Sequence, residues 1–240
     1  MPRLPSFAVI LGVLGCATAA LADSQATVDQ YFEPWSGPKG LDTLRHLATC
    51  VADRHPASAQ RFIRSLATDL ELRANSKDLM DPNCIKMFFF KNSNTRIAAD
   101  MYGNLLAESL LNKSYSASNL PSLAGVAALD QPALPDVPLE QVHKKYREMF
   151  ALDKVLVKLE RSSECIARSA PPQVLTLAGS KPSSPEEAAA FSALDGATVA
   201  CGGDKLAVNI PVFARRASLV SNLYRLADAA SPVTLQEANP

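Results

Sequence analysis

Apolar residues return every three or four positions early in the chain, at Leu41, Leu44, Leu47, Ala48 and Val51. This spacing lines one face of an α-helix, whereas a half-buried strand would alternate apolar and polar residues. Pro56 closes the run, because proline lacks the amide hydrogen and fits only the first turn of a helix. The pattern predicts a helix over residues 41–55 and a second one over residues 56–72. Residues 76–83 carry turn chemistry, with Asp81-Pro82-Asn83 just before Cys84, and read as a loop. Residues 85–90 fit a short strand or the start of a buried helix, and helical spacing resumes over residues 96–111. In the second half, residues 139–168 read as one long or two abutting helices. Ser184, Pro185, Glu186 and Glu187 supply a cap, a first-turn proline and acids at the positive end of another helix. A last helix is predicted over residues 212–227. The fold class expected is all-α.

The two halves share more than a class. At one constant offset Leu41 answers Leu156, Leu44 Leu159, Cys50 Cys165, Ala52 Ala167 and Pro56 Pro171, while Val51 and Ile166 agree in type. Each half then places a second cysteine, Cys84 or Cys201, at nearly the same remove, and closes with an apolar helical segment. An internal duplication explains these features together, so we expect two divergent helical repeats packed on one another. The division that follows is a signal peptide (1–22), an aromatic N-terminal arm (23–40), repeat one (41–113), a Pro-rich linker (114–138), repeat two (139–230) and a tail (231–240).

The first residues change the picture of where the chain goes. Arg3, an apolar stretch over residues 4–14 and the small-x-small site Ala20-Leu21-Ala22 form the pattern of a secretory leader, with Asp23 opening the mature chain. The apolar stretch falls short of the roughly 20 residues that span a bilayer, and no later segment reaches that length. A competing reading takes Val13-Leu14-Gly15-Cys16 as a lipobox, with a lipid anchor on Cys16. Either reading exports the chain to the periplasm, the envelope or the medium. Of the five cysteines, the four beyond the leader permit three pairings, and an oxidising compartment favours bridges. If each repeat is one unit, the pairs are Cys50–Cys84 and Cys165–Cys201. Each would close a loop worth about 3–4 kcal/mol in the chain-entropy account.

Composition narrows function mostly by exclusion. Apolar residues make up 48% and charged residues 20% of the 240, with Lys plus Arg 24 against Asp plus Glu 24. No basic block stands out, which argues against nucleic acid as a partner. His46 and Cys50 stand one helical turn apart, but three scattered histidines without HExxH carry no metal site. No Gly-x-Ser-x-Gly elbow and no Gly-rich phosphate loop occurs, and Gly202-Gly203 reads as a turn. We therefore expect no catalytic, cofactor-binding or metal-ligating residue. Arg215-Arg216 reads as a solvated face or a partner for Glu. Two aromatic clusters remain as possible binding surfaces: Tyr31 with Trp35 in the arm, and Phe88, Phe89 and Phe90 after the first bridge. The expectation is an exported, non-enzymatic protein that binds a protein or envelope component. The alternative is a hydrolase of an extracellular polymer with its site between the repeats.

Overall fold

The computed structural model describes residues 38–65, 72, 74–86, 99–131, 137–204, 210–233 and 235–236. Every regular element among them is helical. The first half holds α1 (Pro38–Arg54), α2 (Pro56–Arg64), α3 (Ser76–Leu79), α4 (Pro82–Lys86) and α5 (Ala99–Ser114). The second holds α6 (Arg147–Ser169), α7 (Pro171–Gly179), α8 (Pro185–Ser192), α9 (Asp195–Ala200) and α10 (Val212–Ala230), after two 3-10 turns at Leu139–Gln141 and Lys144–Tyr146.

The predicted stripe on α1 is the buried one: Leu47, Ala48 and Val51 are each 0% exposed. His55 interrupts the helix and Pro56 takes the first turn of α2. Ala170 and Pro171 repeat the device between α6 and α7. The two interrupting residues adopt nearly the same backbone, φ −129° and ψ 51° at His55 against φ −139° and ψ 52° at Ala170. In both places the chain turns without opening a long loop, so the following helix packs back on its neighbour.

Two helices make the centre. α5 and α10 pack on each other; α5 is flanked by α1 and α2, and α10 by α6 and α7. α10 is buried nearly all round, from Ala214 through Asp228, as befits a helix enclosed by neighbours rather than one facing water. Tyr102, Leu106, Leu111, Leu223 and Leu226 are 0% exposed. Truncating any such leucine would leave a void costing about 2–5 kcal/mol.

Both bridges close as the sequence leads one to expect, Cys50 with Cys84 and Cys165 with Cys201, each with a Cα–Cα distance of 5.7 Å. One local expectation needs correction. Residues 76–83 are not a plain loop: they carry α3 and the start of α4. The Asp81 carboxylate accepts the Asn83 amide at 2.7 Å, and Pro82 stands in the first turn, so the turn chemistry starts a helix. The described linker residues 115–131 are irregular and lie against the core. Tyr115 and Leu123 are buried, and Arg168 on α6 donates to the carbonyls of Val126 and Ala127 at 2.9 and 2.6 Å. These bonds satisfy backbone groups that have no helix to serve them.

Candidate functional site at the seam of the central helices

The polar residues buried between α5 and α10 are the densest concentration of chemistry in the described structure. Arg216, on α10, is 1% exposed. Its guanidinium donates to Glu108 Oε1 on α5 at 2.7 Å and to Glu187 Oε1 on α8 at 3.0 Å. It also donates to Ser180 Oγ at 2.9 Å, and to the carbonyls of Ala178 and Ser180 at 3.0 and 2.9 Å. The fork is therefore saturated. A single cation joins α5, α8, α10 and the end of α7. Glu187 is itself fixed, since its second oxygen accepts the Ser183 amide and its own amide donates to the capping Ser184. Arg216 thus answers the expectation of a Glu partner and corrects that of a solvated face.

Beside it, half-buried Arg45 on α1 senses the charges of Glu108, Arg216 and Glu187, and burial lowers its pKa. Its Nε and Nη2, and Glu108 Oε2, have no hydrogen-bond partner. Two guanidinium and two carboxylate groups balance at this point, which is why the cluster can sit away from water. Its work is to hold elements together.

A second cluster lies along α6 and α10. Half-buried Glu160 accepts from Ser218 Oγ and from Asn222 Nδ2, both at 2.8 Å. Burial pushes its carboxyl up, an effect that outweighs those two donors and that the charge of Asp100 augments. Asp153 is raised for the same two reasons, burial and Asp100. Glu164 goes the other way: burial raises it, but the Leu129 amide, Arg168 and Gln131 outweigh burial and hold it low.

Two further anchors position the ends of the molecule. Asp228 on α10 accepts from Gln60 at 2.9 Å and from Arg64 at 2.7 and 2.8 Å, tying α2 across to the second half. Asp81 accepts from Arg54 at 2.6 Å and His55 at 3.0 Å, which locks the turn between α1 and α2 onto α4. Each carboxylate is taken up by cationic, imidazole or amide donors.

Among the described residues no group of three or more His, Cys, Asp or Glu could hold a metal ion, and no helix is long and apolar enough to cross a membrane. His46 is exposed on α1. The aromatic residues singled out in the sequence, Tyr31, Trp35, Phe88, Phe89 and Phe90, lie outside the described residues. Sequence reasoning passed over Glu160 and Asp228. For Asp228 a signal was present: it is an acid set within an apolar helical run, where only a buried partner makes it tolerable. Compared with known proteins, the chain matches no family model, no curated protein and no solved structure.

Proposed function

We infer that this chain is an exported helical protein that acts by binding a protein or envelope component in the periplasm or extracellular space, without catalysis. The reading joins the leader pattern of residues 1–22 to two bridges, because bridges persist in oxidising compartments. It also takes the chain as two divergent copies of one unit. In support, each half runs helix, proline break, helix, bridge and closing helix, and the residues at the two breaks share a backbone conformation.

The observation that carries the binding reading is the filled seam. A polymer hydrolase between the halves needs a cleft that admits a chain, whereas among the described residues Arg216, Glu108 and Glu187 are buried together across that boundary. The test is fractionation of cells expressing the full chain, N-terminal sequencing, and in-cell crosslinking. Export predicts a mature form starting at Asp23, or at lipidated Cys16, with a crosslinked partner outside the cytosol. A full-length cytosolic product would refute it.

The hydrolase reading keeps one supporting observation, half-buried Glu160, whose carboxyl is raised by burial. Turnover of an extracellular polymer that Glu160→Gln abolishes would replace the binding reading with that one.

A further inference from the structure

The two bridges are chemically identical and differently housed. Cys84 is 0% exposed and Cys50 is half-buried against the core. Cys165, by contrast, is exposed on α6, in an open groove that it lines with Arg161, Glu164, Arg168 and Ser169. Arg161 and Arg168 stand four before and three after Cys165, so both share its helix face. Cys201, the other sulphur, is half-buried, and Ser169 Oγ lies 3.9 Å from it. The element on its far side is weakly held: α9 has six residues and buries none of them. It is followed by Gly202 at φ +68°, a conformation that favours glycine.

Thiol–disulfide exchange requires a thiolate to reach one sulphur while the other leaves. Arg168 is paired with Glu164 at 2.8 Å, so the positive charge beside the bridge that favours the approaching and departing anions is that of exposed Arg161. We propose that Cys165–Cys201 is an exchange site for a dithiol partner, attacked at Cys165. The partner's thiolate bonds to Cys165 Sγ as the bridge's S–S bond breaks. Cys201 leaves as a thiolate, 3.9 Å from Ser169 Oγ, and takes a proton from solvent. The partner's second thiol, deprotonated, then attacks its own sulphur in the mixed disulfide and releases Cys165, which is protonated in turn. The partner ends as a disulfide, and this chain gains two electrons and two protons. Reduction frees α9 from α6, while Cys50–Cys84 stays closed.

The test treats the mature, fully oxidised protein under native conditions with dithiothreitol or with glutathione, followed by acid quench, alkylation and peptide mapping. Cys165 and Cys201 should be labelled at least about tenfold faster than Cys50 and Cys84, as exposed bridges are the labile ones. The glutathione adduct should sit on Cys165. Arg161→Gln should slow the reaction with anionic glutathione severalfold and weaken its salt dependence without moving the melting temperature, since Arg161 is exposed. Equal rates for the two bridges, opening only in denaturant, an adduct on Cys201, or an unchanged rate in Arg161→Gln would overturn the proposal.

Discussion

At the scale of single residues, charge placement decides more than charge number. The chain is formally neutral at pH 7, yet Arg216 and its two carboxylates are buried together. Removing one member of such a set strands the others away from water, and this is costlier than never having had the set. Arg216→Met is therefore expected to lose about 3–5 kcal/mol, read as a lower urea midpoint. Adding Glu108→Leu and Glu187→Met should restore much of that loss. A single variant as stable as the parent would contradict the clamp. Asp81 makes the second prediction. Burial alone would raise its carboxyl, but the Asn83 amide, Arg54 and His55 outweigh burial and bring it down to about 2. A depressed carboxyl stabilises the fold above its unfolded value and loses that contribution as pH falls through its folded one. The window thus runs from about 4 down to about 2. Asp81→Asn should cost about 1–2 kcal/mol at neutral pH, a figure trimmed because Arg54 is exposed. The difference from the parent should fade below pH ~2 in acid titrations. These pairings were not legible beforehand, because Arg216 and Glu108 are 108 residues apart and spacing within one helix cannot reveal a partner on another.

At the scale of elements, the proline breaks and the caps were readable because their cause is local. Ser184 caps α8 by accepting the Glu187 amide at 3.3 Å, with Pro185 following. Ser184→Ala should cost about 1 kcal/mol, visible as a small drop in melting temperature and faster amide exchange in α8. Where the reading failed, the elements were too short for periodicity to speak: α3 has four residues and α4 five. Composition is also silent on whether an irregular segment lies against the core, as Tyr115 and Leu123 do. The bridges act at this scale too. Cys165→Ala should loosen α9, with its amides exchanging early, and leave Cys50–Cys84 closed in peptide maps. Protection of α9 equal to that of the parent would show that other contacts hold it.

At the scale of the whole molecule, α5 and α10 form the axis, and each half wraps one of them. Clasping each half on itself leaves the boundary between halves to side-chain packing and to the Arg216 and Asp228 anchors. Among the described residues Arg216, Glu108 and Glu187 are buried together in that boundary, which supports the proposed binding role. The proposed duplication and export meet in one experiment: non-reducing peptide mapping with N-terminal sequencing of the protein recovered outside the cytosol. The account predicts a chain beginning at Asp23, or at lipidated Cys16, with Cys50 joined to Cys84 and Cys165 to Cys201. A Cys50–Cys165 link, or four free thiols on a chain that never left the cytosol, would contradict it.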